Sequence, residues 1–274
     1  MRARVAIGAR DVDVDLSRPI DLALALDFAG PQPRYFGAPR ASARPFETPG
    51  LGFRGAVERG SGCNCAVLSL IPHCNGTHTE SAGHLTRDTL DAWRVAPPGL
   101  VPAAVVSVTP APADGESTVP APHAGDRLVT RRALLAAWPR SAHLAPRALV
   151  VRTLPNDAAK RDRDYTGSIP PYLSQEAARL LVERDIRHLV VDLPSIDRAH
   201  DEGRLTAHRI FFGLPADSVA LADAARADAT ITELAFVPDS AADGVYLLAL
   251  QVPALGGDAV PSRPLLYAVA EPRP

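Results

Sequence analysis

The chain is poor in lysine, in cysteine and in long apolar stretches, and each shortage excludes something. Lys160 is its only lysine. The basic side is otherwise arginine, which with the Ala and Pro richness points to a GC-rich genome and carries no functional reading. Twenty-nine basic and 31 acidic residues leave a net charge of −2. No excess of either sign recommends nucleic acid or an anionic membrane as a partner. Three cysteines, Cys63, Cys65 and Cys74, cannot all pair within one chain, and an odd count without a secretory leader argues for a reducing compartment. The first ten residues carry charge but no apolar run of signal-peptide length. No stretch approaches the roughly 18 apolar residues of a membrane span. A soluble cytoplasmic protein is expected. At 274 residues the chain can bury a full core as one large domain or two.

What the chain does have is a dense run of metal-binding side chains. Residues 73–84 hold His73, Cys74, His78, Glu80 and His84. Cys74, His78, Glu80 and His84 occupy even positions, which share one face of an extended chain. On a helix His78 and Glu80 would point almost oppositely, and Asn75-Gly76 is a poor helix interior. The pattern therefore predicts a strand ending in a turn and a short extended arm. Thiolate, imidazole and carboxylate are ligands of zinc and related divalent metals. The plainer alternative is a polar turn with solvated histidines. His73 is one residue out of phase and is expected to face the other way.

The rest of the chain alternates strand and helix patterns. Residues 12–20 alternate apolar and acidic and read as a half-buried strand. Residues 30–52, rich in Pro, Gly and Arg, form a long loop carrying Tyr35, Phe36 and Phe46. Residues 63–71 have a buried-strand pattern, with Cys63 and Cys65 as buried thiols. A zinc site on the three cysteines is the alternative, although Cys-x-Cys is not the usual spacing and no second pair exists. Residues 101–108, 147–153, 186–197, 231–237, 244–252 and 265–269 read as further strands. Residues 130–138 and 172–184 read as helices, capped by Thr130 and Ser174. The Ala-rich residues 216–230 suggest one more helix, and residues 207–213 read as an apolar strand opened by His208.

Residues 75–84, Asn-Gly-Thr-His-Thr-Glu-Ser-Ala-Gly-His, resemble the signature His-x-Gly-Thr-His-x-Asp-x-Pro-x-His of the metal-dependent cyclase family, which includes bacterial kynurenine formamidase and isatin hydrolase. Gly76, Thr77, His78 and His84 match. Glu80 replaces Asp, Ala82 replaces Pro, and Cys74 replaces the first His. Residues 192–197, Asp-Leu-Pro-Ser-Ile-Asp, resemble the family's Asp-Thr-Pro-Ser-Ile-Asp element, and the resemblance runs in scattered elements from about residue 12 to 270. It implies a single domain over residues 1–274 with an α/β fold. That fold has mixed β-sheets partly closed into a barrel-like core and flanked by helices, the swivelling β/β/α arrangement. It also implies a homodimer or homotetramer acting on a small molecule.

The metal ligands so implied are Cys74, His78, Glu80, His208 and Glu233, holding one or two divalent ions. Zinc is favoured by a thiolate, and manganese is the alternative. His84 is the implied general acid and base, or else one more ligand. Tyr35 and Phe36 are the implied substrate-binding aromatics, or simply anchors of their loop. The expected activity is metal-dependent hydrolysis of an amide, lactam or similar carbonyl. The competing expectation, prompted by the Cys74 and Glu80 departures, is a ligand-binding protein on the same scaffold without catalysis.

Overall fold

A computed structural model describes residues 1–8, 10–138 and 145–270. In chain order its strands are β1 (Arg2–Ile7), β2 (Arg10–Asp15), β3 (Ile20–Asp21), β4 (Ser42–Pro45), β5 (Ala66–Ser69), β6 (His78–Glu80), β7 (Leu100–Val108), β8 (Leu128–Val129), β9 (Ala148–Thr153), β10 (Tyr172–Leu173), β11 (His188–Val191), β12 (Thr230–Glu233), β13 (Gly244–Gln251), β14 (Ala259–Pro261) and β15 (Arg263–Ala270). The helices are α1 (Pro72–Asn75), α2 (Ala92–Val95), α3 (Arg131–Ala137), α4 (Gln175–Glu183) and α5 (Thr206–Phe212).

One 11-stranded sheet dominates, in the order β1-β2-β15-β13-β7-β9-β11-β12-β6-β14, with β3 joined to β15. Strands β7, β9, β11 and β12 run parallel. The outer strands are antiparallel. This is the expected mixed sheet with flanking helices. Its two ends, β1 and β14, do not pair among the described residues, so the strand path is open.

The central strands carry apolar runs, residues 103–106, 148–151 and 189–191, because both their faces are covered. Leu149, Val151, Leu189 and Val191 pack with Leu134, Leu180, Leu181 and Phe211 from the helices. Ala148, Val150 and Val190 point the other way, into a second core with Leu22, Val237, Leu248 and Leu266. Each such leucine contributes roughly 1.5–3 kcal/mol on burial. Helices α3 and α4 begin at the expected caps, although Tyr172 and Leu173, read as part of the second helix, form strand β10. Thr130 Oγ1 accepts from Ala133 N at 3.1 Å, and Ser174 Oγ accepts from Ala177 N at 2.9 Å.

Three expectations need correction. Residues 63–71 are not a buried strand: β5 pairs only with β4 in a separate two-stranded ribbon, and Cys63 and Cys65 are exposed. Among the described residues none of β4 or β5 joins a buried cluster. Residues 207–213 form helix α5, not a strand. Both oxygens of Asp197 accept from the backbone at its first turn, from Ala207 N at 2.8 Å and His208 N at 3.0 Å, and left-handed Gly213 ends it. A short apolar run such as Ile-Phe-Phe fits either element by pattern alone. Residues 216–230 are not a helix but turns around one 3-10 turn, Leu221–Asp223. Among the described residues no helix is long and apolar enough to cross a membrane.

Candidate metal centre and active site

The histidine stretch begins as a helical turn. Pro72 opens it, and Cys74 N and Asn75 N both donate to Ile71 O. Asn75 Oδ1 accepts from Ile71 N at 2.7 Å and closes the turn on itself. Each helical residue rotates about 100°, so odd–even alternation fails across 72–75. His73 therefore turns into the site instead of away from it: its Nδ1 lies 3.2 Å from Glu80 Oε2. At Gly76 the chain extends. A Cβ there would sit 3.1 Å from Leu26 Cδ2, so glycine lets the strand lie close against Leu26.

From there alternation holds. Strand β6 lies between β12 and β14, with His78 opposite Glu233 and Glu80 opposite Ile231. His78 and Glu80 share one face, and the register sets Glu233 beside them. His78 Nε2 is 3.5 Å from Glu233 Oε2. Helix α5 brings His208 Nε2 to 2.8 Å from Glu80 Oε1 and 3.5 Å from Glu233 Oε1. His78 and Glu80 have no solvent exposure at all.

These groups approach one another as ion pairs but without hydrogen-bond geometry. Among the described residues seven buried side-chain polar atoms lack a hydrogen-bond partner, and four of them meet here: His78 Nε2, both oxygens of Glu80, and His208 Nε2. Buried orphans of this kind call for an ion or other partner. Two sets of three donors, each within 4.8 Å of one another, share Glu80: His73 with His78, and His208 with Glu233. Buried imidazoles and carboxylates around one point fit a divalent cation.

The far ring nitrogens are fixed as a metal site requires. His78 Nδ1 donates to Gly76 O at 2.9 Å, and His208 Nδ1 to Asp197 Oδ2 at 2.7 Å. Both Nε2 atoms are thereby aimed at the centre. Burial alone would keep His208 neutral, but Glu80, Asp197 and Glu233 outweigh it and raise its pKa well above that of a free imidazole. Glu80 is held low despite burial, by His208 and His84 first. His73 behaves similarly: burial lowers it, Asp258 and Glu80 more than reverse this, and its pKa is pushed up to about 10. The pocket thus demands positive charge, from protons or from a metal that displaces them.

His84 stands at the edge of this cluster. Its Nδ1 donates to Asp258 Oδ2 at 3.2 Å, and the same oxygen accepts from His73 Nε2 at 2.9 Å. Those two hydrogen bonds hold the Asp258 carboxyl well below its usual range. The His73 and His84 rings lie 4.2 Å apart. Asp258 reaches them because β14 pairs with β6 and Ser81 N donates to Asp258 O at 2.9 Å.

A cavity of about 610 Å³ opens over the cluster, and Tyr35, Phe36, His84, His208 and Glu233 line it. Cys74 lines it too, but joins none of the donor sets among the described residues. Burial, then the charge of Glu233, push its thiol pKa up. The structure thus brings together His78, Glu80, His84, His208 and Glu233, with Cys74 on the wall and Tyr35 and Phe36 above. The sequence reading missed Asp258 and Asp197, and set His73 aside. Asp197 was visible in the Pro-Ser-Ile-Asp element without a role. Asp258 gave only the weak signal of one acid before a short apolar pair.

The fold is similar to those of several solved structures. Isatin hydrolase A from Labrenzia aggregata, bound to benzyl benzoate, is 18% identical with a TM-score of 0.58, over 92% of this chain and 93% of its own. Isatin hydrolase A from Ralstonia solanacearum is 19% identical with a TM-score of 0.57, covering 92% of each chain. A predicted metal-dependent hydrolase from Bacillus stearothermophilus is 18% identical with a TM-score of 0.57, over 91% of this chain and 98% of its own. No curated protein shows significant sequence similarity to the chain. A family model described as putative cyclase matches residues 14–198, more than half of the sequence, and the chain belongs to that family.

Proposed function

We propose that this protein is a metal-dependent hydrolase that cleaves the C–N bond of a small amide or lactam, with aryl formamides as the model substrate. The reading is carried by two three-donor sets sharing Glu80, set beside the His84–Asp258 pair at the floor of an aromatic-lined cavity.

His73, His78 and Glu80 would hold one divalent ion, and Glu80, His208 and Glu233 a second, zinc or manganese. Such ions acidify water and polarise a carbonyl. The protein's own groups do the rest. Ionised Asp258 can only accept, so His84 Nδ1 carries the proton and Nε2 is left free. Nε2 takes a proton from the attacking water as the C–O bond forms. It then returns that proton to the nitrogen as the C–N bond breaks, releasing a carboxylic acid, which ionises at neutral pH, and an amine. Burial and then Glu233 raise the Tyr35 phenol, keeping it protonated as a donor to the substrate. Cys74, with its thiol protonated, forms wall and not ligand. The exposed Phe46, Leu51, Val57 and Leu68 around the β4–β5 ribbon suit burial between copies of the chain in a homodimer or homotetramer.

Metal content and formanilide hydrolysis, measured on wild type, His73→Ala and Cys74→Ala, test the reading. Two ions per chain with activity, both reduced in His73→Ala and kept in Cys74→Ala, are expected. Loss in Cys74→Ala alone would return the thiolate to the site. No metal and no hydrolysis in wild type would sink the enzyme reading in favour of a binding scaffold.

A further inference from the structure

The site cavity does not end at its mouth. Phe36 and His200 face each other there with ring centroids 5.7 Å apart, and Tyr35 lies 5.8 Å from Phe36. Beyond them is a second cavity of about 210 Å³. The two cavities share Tyr35, Phe36, Ala199 and His200 as walls, and residues 165–168 close the far side of the smaller one.

This partition is built, not incidental. Tyr35 N donates to Cys74 O at 3.1 Å, which ties the aromatic loop to the metal-binding stretch. Arg34 N donates to Arg163 O at 3.1 Å, Tyr165 N donates back to Arg34 O at 2.8 Å, and the Arg34 guanidinium pairs with Asp164. Thr166 N donates to Asp164 Oδ1 at 2.9 Å and Ser168 Oγ to Tyr165 O at 3.0 Å, fixing the far wall. The smaller cavity therefore keeps a set position relative to the donor cluster.

Its chemistry selects its guest. No carboxylate, arginine or lysine lines it; its walls are the rings of Tyr35, Phe36, Tyr165 and His200, with hydroxyls from Thr166 and Ser168. A charged group would find no ionic partner there, although Phe36, Gly37, His200 and residues 166–168 of its lining are exposed. Aromatic rings suit such walls, and a cavity on the order of 150 Å³ is enough for benzene. Phe36 and His200 are already in contact, so a third ring passes only if one of them moves. Phe36 is 65% exposed, which leaves its ring room to turn aside.

We propose that the preferred substrate has two parts: an amide at the donor cluster, and an uncharged aromatic group on a flexible linker that fills the second cavity, selected by Phe36 and His200. This rests on the hydrolase reading above. The test compares kcat/KM of the metal-loaded enzyme for formanilide and for 4-(2-phenylethyl)formanilide. In parallel, calorimetry compares the binding of aniline and 4-(2-phenylethyl)aniline, which needs no turnover. The extended substrate should be favoured at least tenfold, mainly through KM, and the extended amine should bind at least tenfold tighter. Thr166→Trp, at an exposed position that fills the cavity, and His200→Ala, which removes a wall, should each bring both ratios towards one; melting curves check that both variants fold. Turnover of both substrates without preference, or a preference that survives both variants, overturns the proposal and leaves the hydrolase reading standing. Absent turnover with tight binding of the extended amine, lost in Thr166→Trp, keeps the subsite and removes the hydrolase. Neither turnover nor preferential binding overturns both.

Discussion

The chain's only lysine sits in its core, and replacing it should be costly. Lys160 Nζ donates to Thr153 O at 2.6 Å, Thr153 Oγ1 at 2.9 Å and Asp192 Oδ2 at 2.8 Å, using all three of its protons. Asp192 also accepts from Thr153 N and Thr153 Oγ1, each at 2.9 Å. The two side chains are 8% and 0% exposed, so solvent screens neither. Burial still raises the Asp192 pKa, with Lys160 opposing the rise. Lys160→Met keeps the stem but strands a buried carboxylate, at a cost of about 3–5 kcal/mol. That is a large part of an ordinary stability of roughly 5–15 kcal/mol. The double variant Lys160→Met/Asp192→Asn removes both charges and should recover most of the loss. Urea unfolding followed by tryptophan fluorescence measures all three proteins. The sign with pH is also fixed. In Lys160→Met the folded pKa of Asp192 rises further above its unfolded value, so the deficit is largest near neutrality and shrinks as pH falls through the carboxylate range. A single-variant loss under about 1 kcal/mol, the scale of an exposed pair, would refute the reasoning, as would a double variant no better than the single. Asp192 opens the segment whose Ile196 N donates to Glu233 Oε1 at 2.8 Å and whose Asp197 orients His208, so metal retention should fall with stability.

Three further outcomes are expected. Asp258→Asn removes the ionised acceptor shared by His73 and His84, and kcat for formanilide should fall about 10²–10⁴-fold, the worth of a general acid–base group, with KM little changed; an unaltered kcat would remove Asp258 from the mechanism. Burial holds His188 at about 4, below the roughly 6.5 of an unfolded histidine, so the unfolded chain takes up the proton first. Stability should then fall by up to about 3 kcal/mol as pH drops from about 6.5 to 4, and His188→Gln should flatten that slope in urea titrations; equal slopes would count against it. Stripping metal with dipicolinate should lower the melting temperature, because the orphaned donors and the neighbouring Glu80 and Glu233 carboxylates lose their counter-charge. Restoring zinc to about 100 times its Kd should return about 2.7 kcal/mol, and a melt indifferent to both treatments would argue against a bound ion.

The central fold was legible where sequence period and burial agree. Residues 148–151 and 189–191 are apolar throughout because helices cover one face and a second core the other. The caps at Thr130 and Ser174 were equally plain, being local side-chain-to-backbone bonds. The errors came where local pattern and tertiary setting part. Residues 63–71 look like a core strand, yet their strand, Ala66–Ser69, lies in a separate two-stranded ribbon and is largely exposed. Residues 207–213 became helical partly because Asp197, ten residues upstream, supplies acceptors for the first turn, and no window around His208 contains that fact.

The candidate site shows the same division on a smaller scale. His78 and Glu80 could be placed on one face because a three-residue strand obeys the two-residue period, and Glu233 joins them through cross-strand register. The period does not extend back through Pro72, where the chain winds into a turn. One residue of phase error there exchanges His73 for Cys74. The imidazole then occupies the inward position that alternation had given to the thiol, within 3.2 Å of Glu80. Read as letters, the stretch has lost the first histidine of the family signature. Read as a helical turn, it still sets an imidazole, that of His73, beside Glu80, so the cysteine at position 74 is not by itself a sign of a decayed site.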